Sequence, residues 1–217
     1  MTDHHTDALF GWTVRAGATA LVNRWSRLVL DPERFEDPAG EPMEGRGQGI
    51  VYTRTSDGRP LRHPDPIERR ALVDRLYRPW HRTLSTLVRH ALEAAGSCLV
   101  IDCHSFGTVP LPSEADQALD RPDVCVGTDP HHTPRELAKT LQAALREQGF
   151  SVRLDSPFDG SMVPADRYRQ DPRVRSVMLE VRRGTYCDEA TGALVPGWDG
   201  VAERLERACV AAGLVPG

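Results

Sequence analysis

The sequence predicts an α/β fold: a mixed, mostly parallel sheet flanked by helices on both faces. Short apolar runs at Cys98–Ile101, Asp123–Gly127, Phe150–Leu154 and Val174–Val181 have the length and bounded character of buried strands. Around them lie stretches with apolar residues every three to four positions, the period of an amphipathic helix. Strands that alternate with helices imply parallel pairing through crossovers. The 217 residues carry no repeat, low-complexity tract or interior linker, so one domain over residues 1–217 is expected.

Each element has a local reason. Residues 7–23 are rich in Ala, Leu and Val and predict a first helix, capped by Thr6 or Asp7. Arg27–Leu30 reads as a short strand stopped by Asp31-Pro32. Residues 36–49 hold three glycines past Gly40 and two prolines, and predict a loop. Ile50–Thr55 looks extended, and Ser56-Asp57-Gly58 is a turn. From 66 to 95, Leu72, Leu76, Trp80, Leu84, Leu87, Val88 and Leu92 mark a long amphipathic helix. Pro79 should kink or divide it, and Gly96 should end it. Thr133-Pro134-Arg135-Glu136 predicts an N-cap, a first-position proline and a capping box for a helix to Gln148. Residues 199–212 predict a closing helix.

Composition narrows the function. The net charge of -4 argues against nucleic acid as a partner, because phosphate binding needs a concentrated basic face. No apolar run approaches the roughly 20 residues that span a bilayer, so no membrane partner is expected. The first residues, Met1-Thr2-Asp3-His4-His5-Thr6-Asp7, are polar and unlike a signal peptide. Cys98, Cys103, Cys125, Cys187 and Cys209 show no CxxC spacing, which suits reduced thiols in a cytoplasmic protein.

Three constellations are candidates for chemistry. Asp3, His4, His5 and Asp7 offer oxygen and nitrogen ligands for a divalent metal, or form a plain polar terminus. Asp102 and His104 share one face of a strand end, where one can bind a metal while the other orients it, or both can make local hydrogen bonds. Glu180 lies inside the apolar run Val177-Met178-Leu179-Glu180-Val181. A carboxylate there is costly unless it pairs with Arg182 or Arg183 or serves as a general base. Arg27, Arg34 and Arg54 stand at strand–loop boundaries and are candidates for an anionic substrate group.

An ordered set of segments carries a resemblance. It runs through Thr2-Asp3-His4-His5-Thr6-Asp7, Ser26-Arg27-Leu28-Val29-Leu30-Asp31-Pro32-Glu33-Arg34-Phe35 and Gly49-Ile50-Val51-Tyr52-Thr53-Arg54-Thr55. It continues through Tyr77-Arg78-Pro79-Trp80-His81, Ile101-Asp102-Cys103-His104-Ser105, Val126-Gly127-Thr128-Asp129, Pro157-Phe158-Asp159-Gly160 and Ser176–Val181. Taken together they resemble the N-formylglutamate amidohydrolase family, zinc hydrolases similar in architecture to zinc carboxypeptidases and aspartoacylases.

The resemblance implies a carboxypeptidase-like fold and a metal-dependent amidohydrolase that cleaves the amide of a small N-formyl or N-acyl amino acid. It implies Zn2+ held by Asp3 and His104, with Asp102 orienting the imidazole. It also implies Glu180 as the base for a metal-bound water, an arginine such as Arg54 at the oxyanion, and Arg27, Arg34 and Ser105 toward the carboxylate-bearing substrate. The family's first His ligand belongs to a strand ahead of the Thr-Asp motif. That segment is not in this sequence: either Met1 is an internal methionine of a longer chain, or the strand is lacking and His4 or His5 substitutes as a ligand. Met162-Val163-Pro164 also departs from the family's Gly-Gly-His type of segment, which sets N-formylglutamate itself apart from a general N-acyl substrate. The alternatives are a truncated or non-catalytic member that binds without turnover, and a carboxypeptidase-like enzyme for a peptide or natural product.

Overall fold

Successive side chains of a strand point to opposite faces, and this alternation lays out the molecule. The computed structural model describes residues 2–216. It contains one sheet of four strands, β1 (Cys98–Phe106), β2 (Val124–Gly127), β3 (Val152–Leu154) and β4 (Val174–Arg182), in the order β1-β4-β2-β3. β1 runs parallel to β4 and β2 parallel to β3, while β2 and β4 are antiparallel. The sheet is mixed and mostly parallel, as the sequence predicts. The helices are α1 (Thr6–Leu9), α2 (Trp12–Arg15), α3 (Pro66–Leu72), α4 (Arg78–Ala95), α5 (Arg135–Glu147) and α6 (Trp198–Ala211).

Leu99, Ile101 and Cys103 of β1 and Val177, Leu179 and Val181 of β4 face α5 and α6, where they meet Leu141, Leu145, Leu205 and Cys209. Leu9 and Trp12 close this side. Burying each such leucine contributes about 1.5–3 kcal/mol. On the other face Cys98, Val100 and Val174 pack on Leu84, Val88 and Leu92 of α4. The apolar contact with α4 ends at Val100, and the same face of β1 then carries Asp102 and His104.

Pro79 enters at the start of α4, and the chain before it, Val73–Tyr77, widens into a π-turn rather than breaking. A proline lacks the N–H for the preceding turn, and the wider turn absorbs the missing bond. Gly96 ends α4 at φ 73°, a conformation glycine adopts without strain.

Four local expectations are corrected. The helix expected over 7–23 is only α1 and α2, and α1 has no side-chain cap; Asp7 accepts merely from the Ala8 amide. The Thr133 capping box does not form, because the Thr133 hydroxyl donates to the Ser176 carbonyl of β4 and accepts from the Asp129 amide. Arg27–Leu30 and Ile50–Thr55 are not strands. Their backbone groups find single partners instead: the Asp31 amide donates to the Ile50 carbonyl, and the Arg62 guanidinium donates to the carbonyls of Leu28, Val29 and Tyr52. Leu30, Ile50 and Val51 bury against Val73 and Tyr77. The five cysteines are free thiols, and no helix of the described residues is long and apolar enough to cross a membrane.

Candidate active site

His104 of β1 lies opposite Glu180 of β4 in the parallel register, so both side chains leave the same face of the sheet. Three further segments bring polar groups to them. The N-terminal segment delivers Asp3, whose Oδ1 accepts from the Ser105 amide at 2.8 Å and whose Oδ2 lies 3.4 Å from His104 Nδ1. This segment is held from below: Arg183 donates to the carbonyls of Thr2 and Ser105, and the Tyr186 hydroxyl donates to the His4 carbonyl at 2.7 Å. Asp102 meets His104 Nε2 at 2.9 Å, and its second oxygen accepts from the Met162 amide at 2.8 Å, tying the 157–164 loop to the site.

Residues 27–35 form the third segment. The Tyr77 hydroxyl donates to the Arg34 carbonyl at 2.9 Å and His81 Nε2 to the Pro32 carbonyl at 2.8 Å, so the loop is pinned to α4 and the π-turn. At its centre Asp31 is fully buried. It accepts from the Tyr52 hydroxyl at 2.7 Å and faces Arg34 Nε at 3.5 Å and Arg27 Nε at 3.7 Å. Arg27 Nη2 is ion-paired with Glu33, whose other oxygen lies 3.4 Å from His104 Nε2. Five carboxylates thus gather around two arginines and one histidine.

This density shifts ionisation. Burial opposes charge on Asp3, but His104, Arg27 and the Ser105 amide hold its carboxyl well below the usual range. Burial likewise opposes a charged His104, yet Glu33, Asp102 and Asp3 raise it well above an ordinary imidazole. Burial also works against charge on Asp102, which His104 and the Met162 amide hold low. Burial pushes Glu33 up to about 7 and Glu180 up to about 8, with Arg27 and His104 pulling the other way. Glu180 Oε2 is buried with no hydrogen-bond partner among the described residues. A desolvated carboxylate with a free oxygen and a pKa near neutrality has the character of a general base.

The structure therefore gathers Asp3, Arg27, Arg34, Asp102, His104 and Glu180. Ser105 takes part through its amide, with its hydroxyl 3.4 Å from Asp3. Two expected residues lie elsewhere. His5 Nε2 sits 2.7 Å from the Gly192 carbonyl and is committed there. The exposed Arg54 guanidinium donates to the Gly58 carbonyl and, among the described residues, makes no hydrogen bond or ion pair with the cluster. Asp31, Glu33 and Tyr186 are members that sequence reasoning did not single out, while Arg182 and Arg183, read as partners for Glu180, instead pair with Asp123 and hold the N-terminal segment. Charged residues flanking Pro32 look like a solvated turn, and only their spacing from Arg27 hinted at pairing.

A zinc ion can be tested against this donor set. His104 fits: a ligating imidazole commonly has its second nitrogen held by a carboxylate, here Asp102. Asp3 converges on the remaining nitrogen. The count is short, because a catalytic zinc takes three protein ligands and no group of three such side chains is placed to hold one ion among the described residues.

Comparison with known proteins follows the same residues. The family model for N-formylglutamate amidohydrolase matches residues 1–187. An N-formylglutamate deformylase of Pseudomonas putida is 30% identical over 202 residues, covering 87% of this chain and 71% of the relative. One from Pseudomonas aeruginosa is 28% identical over 195 residues, with the same two coverages. The crystal structure of an N-formylglutamate amidohydrolase from Ralstonia eutropha superposes with a TM-score of 0.80 at 24% identity, over 98% of this chain and 83% of that one. A gene product of Agrobacterium tumefaciens superposes with a TM-score of 0.60 at 22% identity, over 88% of this chain and 70% of that one. These last two share the fold. With the matched span reaching from the Asp3 segment past Glu180, the chain belongs to the N-formylglutamate amidohydrolase family.

Proposed function

We propose that this protein hydrolyses the amide of a small N-formyl or N-acyl amino acid, releasing the acyl group as a carboxylate and the amino acid as a free amine. The observation that carries the reading is Glu180: a buried carboxylate with an unpartnered oxygen, set across the strand register from His104 and near Asp3 and Arg27. In this role Glu180 takes the proton of the attacking water and returns it to the departing nitrogen. Arg34, partly exposed and ion-paired with Asp31 at 3.5 Å, receives the substrate carboxylate. Arg27 supplies positive charge beside the acyl oxygen as it becomes anionic.

Asp3 and His104 are the residues that would hold a divalent metal, with Asp102 fixing the imidazole. A bound zinc would polarise the acyl carbonyl and make water easier to deprotonate. The two-donor count favours one second reading, a member that binds N-acyl amino acids without turnover.

The test is formate release from N-formyl amino acids, measured with and without added zinc. Turnover that Glu180→Gln reduces by about 10²–10⁴-fold supports the assignment. Binding of the same compounds without any formate release, zinc present, would transfer the chain to the second reading. Turnover unchanged in Glu180→Gln would remove Glu180 as the base.

A further inference from the structure

We propose that Phe158 sets the size of the acyl group: the site takes a formyl group, and an acetyl or longer chain runs into this ring. The proposal rests on the hydrolase reading and narrows its acyl side. The sheet register carries it. His104 of β1, Glu180 of β4 and Cys125 of β2 stand in one row across three neighbouring strands and share a face. The segment of residues 27–35 reaches this row at its His104 end, through Glu33. Phe158 reaches it at the other end, where its carbonyl accepts from Cys125 Sγ at 3.1 Å. The Phe158 ring then leans back across β4, with its centroid 5.7 Å from that of Phe106, edge to face. Phe106 follows His104 by two residues and shares its face of β1. Contacts to Cys125 on one side of β4 and to Phe106 on the other place Phe158 beside Glu180. A substrate whose carboxylate lies at Arg34 and whose amide is attacked beside Glu180 carries its acyl group toward Phe158.

The ring is held, so it acts as a wall. The buried Arg121 guanidinium lies 4.8 Å from the Phe106 centroid and 5.4 Å from that of Phe158. Its Nη1 donates to the Gly107 carbonyl at 2.9 Å and its Nη2 pairs with Glu114, which fixes its plane. The loop behind Phe158 also sits directly on the sheet. A Cβ at Gly127 would lie 2.6 Å from the Gly160 carbonyl oxygen, so the close approach needs glycine there. A formyl carbon turns only a hydrogen toward this wall. An acetyl carbon turns a methyl toward it, and close-packed groups accommodate an added methyl poorly.

The experiment compares formate release from N-formyl-L-glutamate with acetate release from N-acetyl-L-glutamate, zinc supplied. The intrinsic reactivity of the two amides is common to all variants, so a change in the ratio of their kcat/KM values reads the wall. Phe158→Ala should move that ratio toward the acetyl compound by about 10–200-fold, the range for one carbon in a close-fitting pocket. Phe158→Leu should move it the same way by less, and carries the test where the alanine variant does not fold. Arg121→Ala should also move it toward acetyl, because the ring loses its backing; a lowered Tm with an unchanged ratio would strike Arg121 from the wall. An unchanged ratio in the folded Phe158 variants overturns the proposal, as does a wild-type protein that turns over both compounds equally well. Titration calorimetry separates this proposal from the hydrolase reading. A shift in relative Kd toward the acetyl compound in Phe158→Ala, without release of either acid by any form, keeps the Phe158 assignment and removes hydrolysis. Absence of binding by either compound to the wild-type protein overturns both.

Discussion

Glu180→Gln should make the protein more stable at alkaline pH while cutting turnover by about 10²–10⁴-fold, and the size of the stability gain follows from the structure. Glu180 is 9% exposed in the central strand pair. Burial raises its pKa from 4.5 to about 8, against the pull of His104 and Arg27. A raised carboxyl pKa means that the folded chain keeps a proton the unfolded chain gives up. The stabilisation is therefore complete below pH 4.5 and is lost as pH rises through about 8. At 1.36 kcal/mol for each pH unit between the two values, ionised Glu180 costs the fold up to about 5 kcal/mol. Glutamine mimics the protonated acid and carries no such cost. In urea unfolding the variant should match the wild type near pH 4.5 and exceed it by several kcal/mol at pH 8.5, with an unchanged m-value. A stability difference that stays flat between those pH values would refute the reasoning, since burial would then not be what raises Glu180. The same pKa predicts that kcat/KM of the free enzyme falls as pH drops below about 8, because the base must be ionised.

Asp31→Ala strips the shared counter-ion from Arg27 and Arg34 and should cost about 3–5 kcal/mol, seen as a Tm drop on the order of 10 °C. A loss below 1 kcal/mol would mean that solvent already screens these pairs. Asp102→Ala frees His104 Nε2 from its 2.9 Å partner and orphans the Met162 amide. Turnover should fall about 10–100-fold with little change in secondary structure by circular dichroism. Asp123 is held below the usual carboxylate range against burial by the Ser151 amide and hydroxyl and by Arg182. Its stabilisation is thus present above about pH 4 and is lost as pH falls through its depressed value. Asp123→Asn should cost about 1 kcal/mol at pH 7 after allowance for solvent screening, and the gap should narrow as pH falls below about 4 in thermal melts.

The parts of the fold that could be read from the sequence are those where one periodicity decides the burial of a whole element. β1 shows this: Leu99, Ile101 and Cys103 go to one core while Cys98 and Val100 go to another, and both patterns are written in an unbroken apolar run. The same run told that Asp102 and His104 share a face, which is half of the site. The misread elements are those whose backbone is satisfied by single long-range bonds. Arg27–Leu30 and Ile50–Thr55 have strand-like composition, yet β propensity needs a ladder partner to act on. Here Arg62 caps three of their carbonyls from ten or more positions away, a contact with no local signal. Thr133 failed as a cap for a related reason: a hydroxyl that can reach β4 has two competing uses, and tertiary packing chose.

Glu33 shows how far this limit extends into function. Nothing in Pro32-Glu33-Arg34 separates a site carboxylate from a surface charge. Its identity comes from Arg27, six positions earlier, and from His104 on a distant strand. Tyr77 and His81 hold the loop by its Arg34 and Pro32 carbonyls, so two residues of the helical region set where a carboxylate between them meets the imidazole. Backbone carbonyls are common to every residue type, which means this anchoring would deliver any side chain at position 33 to the same point. The scaffold therefore fixes the place, and the residue standing there fixes the charge. In a site where five carboxylates already surround His104 and two arginines, exchanging one glutamate for its amide is a small structural change and a large electrostatic one.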